Sequence, residues 1–452
     1  MSQDADLSLS FHLHAELLPN IRQVTLYISL PQDEKINNLQ PEVSLTESRR
    51  AVTVSLPEPF QDAVETIKLP ARVGEASRRV LRMGKLGGDI AQNNKTESER
   101  REFSFRMPID ADEVPFVPRE EVIDDFVPWT AADMSSSTKL RCRKCGNMIL
   151  NAPEFDNESG TRTGWVWKDL PSGNWAEMMD FWHCHKPDTH EDDKEPGGEA
   201  QNDLVKGYGA ANQLVAIPGT VLVDVATFLV AQGDCKGLKK VQDESSKASS
   251  ANTKRVNITC QQCDTLVGLE DPMADGWRLL KANLSANTQP AEGIETEEPT
   301  WTSHPTETVV AAQLLELIER ESARRFAVHC GQKNGLLVRL KNVYDDVGAD
   351  NSKLWVFNPD LRYSNSGADH STTAQRGMKV FFRDTPNVDD VINPEQGKAS
   401  SLSLEELELP SSIFAAVSEC LIRSSETLPS SARHFREWRV GLLNRFERPG
   451  RG

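Results

Sequence analysis

Eight cysteines are spread unevenly along 452 residues, and four of them form two matched pairs. Leu140-Arg-Cys142-Arg-Lys-Cys145-Gly146 and Ile258-Thr-Cys260-Gln-Gln-Cys263-Asp264 share one construction: an extended lead-in, two thiols separated by two residues, and a turn residue after the second. That spacer lets both sulfurs and the amides of the turn converge on one ion, and two such knuckles complete a tetrahedral shell of four thiolates for Zn2+. The expectation is one structural zinc on Cys142, Cys145, Cys260 and Cys263. A redox pair or plain buried thiols can also use this spacing, but neither explains two matched knuckles. Four thiolates leave no open position for catalysis, so this metal holds a fold.

Between the knuckles lies the densest group of chemically capable residues, Trp175-Ala-Glu-Met-Met-Asp180-Phe-Trp182-His183-Cys184-His185. Ligands and nucleophiles are drawn from His and Cys, which invites a functional reading. The alternative is a helix end whose aromatic rings pack and whose His and Cys are incidental, since adjacent side chains do not all face one ion. Composition alone leaves both readings open. Cys330 and Cys420 fall on inward positions of a strand and a helix and read as core thiols. Cys235, in Gly233-Asp-Cys-Lys-Gly237, reads as an exposed loop thiol without a partnered His, and His12 and His14 read as solvated residues on the polar face of a strand. No Gly-rich phosphate loop, GxSxG elbow or HExxH helix is present, so ordinary kinase or hydrolase chemistry is unsupported.

These residues must be positioned by more than one core, because a chain of 452 residues holds several domains. Residues 1–133 alternate apolar and polar positions at Leu7–Leu13, Val24–Leu30, Val52–Leu56 and Phe103–Met107, the period of half-buried strands, and read as a β-sandwich-like domain, an antiparallel sandwich or barrel. The basic stretch Ser77–Arg101 reads as a solvated loop, and Met134–Thr138 as a linker. Residues 139–285 form the expected zinc region, β-rich around Val221, Val223, Val225 and Leu229, with two disordered insertions at Glu191–Glu199 and Asp243–Lys254.

After the acidic linker Glu292–Pro299, residues 300–452 read as an α/β domain. Its expected parts are a helix through Val310, Leu314, Leu317 and Ile318, and a hairpin from Phe326–Cys330 through Asn334-Gly335. Strands follow at Leu354–Phe357 and Met378–Phe382, then two helices, one through Ile413, Val417, Cys420 and Leu421 and one through Phe435, Trp438, Leu442 and Phe446. The fold class is therefore multidomain α+β. Lys and Arg number 51 against 68 Asp and Glu, for a net charge of −17, which opposes direct binding to nucleic acid or an anionic membrane and points to protein partners. No apolar run reaches the roughly 20 residues of a membrane span, and Met1–Ser10 lacks a signal-peptide pattern, so a soluble intracellular protein is expected.

A family resemblance rests on the order of these motifs. CxxCG at Cys142–Gly146 is followed by Pro171-Ser-x-x-Trp175-x-Glu-x-x-Asp180-x-Trp182-x-Cys184-His185, then the second CxxC, Asn358-Pro-Asp-Leu-Arg-Tyr363 and Trp438-x-Val-Gly-Leu-Leu443. That order resembles the HECT-like E3 ubiquitin ligases, also called ubiquitin-conjugating-enzyme E2-binding proteins. The resemblance spans roughly residues 140 to 446, and the run from Pro171 to His185 is its most specific part. It implies an E2 partner, ubiquitin transfer and a cytoplasmic and nuclear location, with Trp175, Asp180 and Trp182 as partner contacts and Cys184 and His185 as candidates for chemistry. It also implies the alternative of a non-catalytic binding protein or chaperone for a client such as an mRNA cleavage and polyadenylation factor. The Thr-Cys-Phe-Asn type segment that carries the nucleophile of true HECT ligases has no counterpart, since Cys420 lies in Ser418-Glu-Cys-Leu-Ile422.

Overall fold

The computed structural model describes residues 11–30, 36, 39–83, 102–113, 123–151, 164–170, 214–242, 256–287, 300–321, 324–330, 335–339, 359–366, 374–385 and 404–448. Their regular structure is mainly strand, with few helices. The amino-terminal stretch carries β1 (His12–Leu18), β2 (Gln23–Ser29), β3 (Glu42–Leu45), β4 (Ala51–Ser55), β5 (Val64–Lys68), helix α1 (Ala76–Met83) and β6 (Glu102–Pro108). The middle carries α2 (Ile123–Phe126), β7 (Lys139–Cys142), β8 (Met148–Leu150), β9 (Val166–Asp169), β10 (Thr220–Val223) and β11 (Thr227–Val230). It continues through β12 (Leu238–Gln242), β13 (Val256–Cys260), β14 (Leu266–Asp271), β15 (Gly276–Leu280), β16 (Leu284–Asn287) and α3 (Thr306–Glu321). The last stretch carries β17 (Arg325–His329), β18 (Gly335–Arg339), β19 (Leu361–Asn365), β20 (Gln375–Thr385), β21 (Leu404–Glu408), α4 (Ser411–Thr427), β22 (His434–Phe435) and β23 (Trp438–Asn444).

The chain divides into two compact units, Met1–Val122 with Arg324–Gly452, and Ile123–Ala323. This differs from the expected boundaries at 133 and 300, for a reason visible in strand pairing. β1 pairs with β2 on one side and with β19 on the other, so that His14 opposes both Tyr27 and Asn365. The first and last thirds of the chain therefore share one sheet, ordered β21-β17-β18-β20-β19-β1-β2-β6, with β23 joined to β20 and β22 to β23. Leu13, Ala15, Leu17, Val24, Leu26 and Ile28 on this sheet share one core with Val52, Val54 and Ile67 from the separate sheet β3-β4-β5.

Two local expectations are corrected in this unit. Part of the stretch read as a loop is helix α1, whose Arg78 donates to Leu45 O at 2.8 Å and Thr46 O at 3.1 Å and so caps the end of β3. The segment with Phe435, Trp438 and Leu442 is not a helix but strands β22 and β23, the latter antiparallel to β20 from Gly377↔Asn444 to Phe382↔Arg439. Val440 and Leu442 sit two apart on one face with Trp438, and a period of two is also consistent with the helical spacing over so short a run. The expected helices over Val310–Ile318 and Ile413–Leu421 and the hairpin with His329 opposite Gly335 are present, as α3, α4 and β17–β18.

The second unit holds a sheet ordered β12-β13-β14-β15-β11-β10-β9 and a small sheet β16-β7-β8. Their shared core includes Leu140, Ile149, Leu150, Trp165, Val221, Val223, Phe228, Ile258 and Trp277, and it contains Cys142 and Cys260 themselves. Val221, Val223 and Leu229 lie in the expected strands, while Val225 lies between β10 and β11. The segments Glu191–Glu199, Asp243–Lys254, Glu292–Pro299 and Leu354–Phe357 lie outside the described residues. No helix among the described residues is long and apolar enough to cross a membrane.

Candidate metal centre

Each knuckle grows from the end of a strand. Cys142 closes β7 and Cys260 closes β13, both buried, and each chain then turns back on itself. In the first turn Gly146 N donates to Cys142 O at 2.9 Å, and in the second Asp264 N donates to Cys260 O at 3.0 Å. The residue after each second thiol is left-handed, Gly146 at φ 75° and Asp264 at φ 54°. Gly and Asp are among the residues that tolerate that region, which is why the turn residue recurs at this place in both motifs.

The two knuckles lie on different sheets and face one another. Cys142 Sγ is 3.7 Å from Cys263 Sγ and Cys145 Sγ is 3.5 Å from Cys260 Sγ. All four sulfurs lie within 4.8 Å of one another, and none is in a disulfide. Sulfurs held at about 2.3 Å from one tetrahedral ion stand about 3.8 Å apart, so the spacing fits a tetrathiolate metal site. Backbone bonds fix the approach: Arg143 N donates to Asn283 O at 3.0 Å, Lys236 N to Ile149 O at 2.9 Å, and Gln261 N to Gly237 O at 2.9 Å. Gly237 is needed there, because a Cβ would stand 2.4 Å from Asn147 Nδ2.

Charge at the centre is divided unequally. The Thr265 hydroxyl, 3.2 Å from Cys263 Sγ, brings that thiol down to about 6, assisted by the Thr265 amide. Burial pushes Cys142 up to about 12, which disfavours its thiolate. Burial also works against Cys260, yet the Gln262 and Cys263 amides and the Asn147 side chain leave it lowered. The Asn147 amide works to lower Cys145, but desolvation and the neighbouring thiols leave it raised. A bound cation replaces the thiol protons, because thiolates and not thiols are metal ligands.

Asn147 and Thr265 were not legible as part of the site. Asn147 Nδ2 donates both to Gly237 O at 2.9 Å and to Cys260 Sγ at 3.4 Å, so one side chain orients a ligand and joins the two sheets. Its only sequence signal is its position two residues after Cys145. Lys281 gave no signal at all. It is fully buried, donates to Pro128 O at 2.9 Å and Trp129 O at 3.0 Å, and sits 5.1 Å over the Phe228 ring. Burial brings its ammonium down to about 7.

Trp175, Asp180, Trp182, Cys184 and His185 lie outside the described residues. Cys420 is buried on α4 as expected, and Cys330 is half-buried just past β17. Cys235 is not an exposed thiol: it packs against the core of the second unit, and burial pushes it up to about 12. His14 is not solvated either. It is 1% exposed, and its Nε2 donates to Glu16 at 2.9 Å, while Lys379 Nζ donates to the same carboxylate at 2.7 Å. Although burial opposes the charge, Lys379 and His14 hold Glu16 well below the usual carboxylate range. His12 is half-buried and donates to Thr427 O at 2.7 Å. A one-residue alternation marks the non-core face of β1 as polar but does not show that the sheet's second face is covered.

Residues 16–440 match the HECT-like ubiquitin-conjugating enzyme (E2)-binding family. The chain belongs to that family. The match takes in both knuckles and most of both structural units. Among similar proteins, Uncharacterized protein YJR141W of Saccharomyces cerevisiae is 22% identical over 437 residues, covering 95% of this chain and 98% of its own. Uncharacterized protein C1734.10c of Schizosaccharomyces pombe is 21% identical over 335 residues, covering 71% of this chain and 78% of its own. No solved structure matches the chain.

Proposed function

We propose that this protein is an E3 ubiquitin ligase that binds a charged E2 and promotes transfer of its ubiquitin, braced by one structural Zn2+ on Cys142, Cys145, Cys260 and Cys263. The observation that carries this reading is the E2-binding family match across residues 16–440. The closed set of four thiolates supports a zinc that orders the second unit and takes no part in transfer. Holding a thioester and an acceptor amine in reach of one another is a sufficient source of rate: the amine attacks the carbonyl, an amide bond forms, and the E2 thiolate leaves. Trp175, Asp180 and Trp182 are the proposed E2 contacts, with Cys184 and His185 the proposed groups for chemistry, His185 as acceptor of the amine proton. A cytoplasmic and nuclear location goes with this reading.

Discharge of a ubiquitin-loaded E2 tests it. Wild-type protein should accelerate discharge, and Cys184→Ala with His185→Ala should abolish that effect while zinc content and melting stay unchanged. Zinc lost in step with activity would make Cys184 or His185 a ligand in place of one of the four cysteines. E2 binding without accelerated discharge in the wild type would replace the ligase by a non-catalytic binding protein, with a client such as an mRNA 3′-end processing factor as its partner.

A further inference from the structure

In a chain of net charge −17, the run Arg433-His-Phe-Arg-Glu-Trp-Arg439 stands out as basic, with Glu437 its single acid. β22 and β23 fold it into a tight hairpin, in which His434 opposes Arg439 and Phe435 opposes Trp438. The two-residue turn is Arg436-Glu437, with Arg436 exposed and left-handed at φ 55°. A side chain with a Cβ is disfavoured at that position relative to glycine, so the fold maintains an arginine at the tip against local preference.

Three guanidinium groups around this hairpin lie over aromatic rings. Arg383, from the neighbouring strand β20, is 4.6 Å from the Trp438 centroid; Arg439 is 5.3 Å from Phe382; and Arg436 is 5.8 Å from Phe435. Phe435 in turn stacks on Phe381 at 5.2 Å. A guanidinium lying on a ring keeps a defined plane while its N–H edges remain free, the geometry suited to bidentate carboxylate recognition.

Several other arginines of this unit are already engaged. Arg433 donates to Leu428 O at 2.8 Å and Glu426 O at 2.7 Å, Arg362 to Glu447 at 2.8 Å, and Arg49 pairs with Asp110 at 2.6 Å. Among the described residues Arg383, with 44% of its side chain exposed, has Glu437 as its one ion-pair partner, at 3.8 Å, and that carboxylate also accepts from Trp438 Nε1 at 3.0 Å. Among the described residues neither Arg436 nor Arg439 has an ion pair.

We infer that the β22–β23 hairpin, with Arg383, Arg436 and Arg439, is a docking surface for an acidic peptide segment of a partner protein. A nucleic-acid ligand is disfavoured by the hairpin itself. The Trp438 ring is 9% exposed and covered by Arg383, so it offers no face for base stacking. A short acidic segment meets only the local rim, where charge complementarity sets encounter and register.

Fluorescence anisotropy of the full chain with labelled octaglutamate, run alongside labelled octauridylate, tests this. Octaglutamate should bind at low salt, weaken at least tenfold between about 20 and 200 mM NaCl as exposed charges are screened, and bind at least tenfold more weakly to Arg383→Glu with Arg436→Glu at an unchanged melting temperature. Arg436→Glu alone, at the exposed turn, gives the same reading if the double variant does not fold. Undiminished octaglutamate binding by the variants, no binding by the wild type, or tighter binding of octauridylate would each overturn the inference.

Discussion

Four thiolates converging on one point repel one another, and burial raises Cys142 while the Thr265 hydroxyl lowers Cys263, so a cation is what lets all four carry charge together. Binding free energy at such a site is folding free energy. Cys142→Ser or Cys260→Ser is therefore expected to reduce zinc from about one per chain to near zero by native mass spectrometry, and to unfold the region from Ile123 to Ala323. Asn147→Ala removes a donor to Cys260 without removing a ligand, and should weaken zinc about 10–100-fold in a chelator competition. Lys281 provides a separate reading by pH. Burial lowers it from 10.5 to about 7, so between those values the unfolded chain binds more protons and folded stability rises with pH. Relative to Lys281→Met, the wild type should gain up to about 1.4 kcal/mol per pH unit in urea titrations between pH 7 and 10. A constant difference would show that the ammonium keeps its charge against the carbonyls of Pro128 and Trp129. At this scale the four clustered cysteines were legible because thiol spacing is dictated by a tight turn. Asn147, Thr265 and Lys281 were not, because each acts on atoms that only the folded chain brings near.

Among the elements, β22 and β23 show how a pattern that picks out buried residues can come with a wrong element. Trp438 and Leu442 are buried, and Phe435 packs against them, yet they are strand residues. α4 lies along β23 and supplies what a further strand would have supplied: Ser424 Oγ accepts from Leu442 N at 2.9 Å and is itself anchored by donating to Leu421 O at 3.1 Å. A hydroxyl thus satisfies a buried ladder amide. Ser424→Ala removes the hydroxyl without adding an atom and leaves that amide without its acceptor, which should lower stability by about 1–3 kcal/mol in chemical denaturation. Trp438→Ala removes a ring packed in the same cluster and should cost about 3–5 kcal/mol, read as a fall in melting temperature. An unaffected Ser424→Ala variant would mean that the amide finds another partner. The apolar stripe of α4 was legible because seventeen residues span several turns of one period. The seven of β23 are too few to separate a period of two from one of 3.6.

For the molecule as a whole, the alternation of β1 announces a strand but not the strand beside it. Its partner β19 comes from the far end of the chain, and Leu13 N donates to Ser366 Oγ at 2.8 Å across 353 positions of sequence. Lys379 and Glu16 form a buried pair across the same junction, with Glu16 7% exposed. Composition shifts and linkers mark where a chain becomes polar, which is different information from which strands share hydrogen bonds, so the expected separate domains at 1–133 and 300–452 do not match the contact pattern. A fragment of residues 300–452 would expose the edge of β19 and leave Lys379 without its carboxylate. Expressed alone, it should show no cooperative thermal transition and poorly dispersed amide resonances. Co-expression with residues 1–122 should restore both, since the two pieces together carry every strand of the β21-to-β6 sheet. Residues 123–323 contain both knuckles and should melt cooperatively only with zinc bound. A 300–452 fragment that folds by itself would show that β19 and β20 need no amino-terminal strand, and would return the molecule to the domain order its linkers describe.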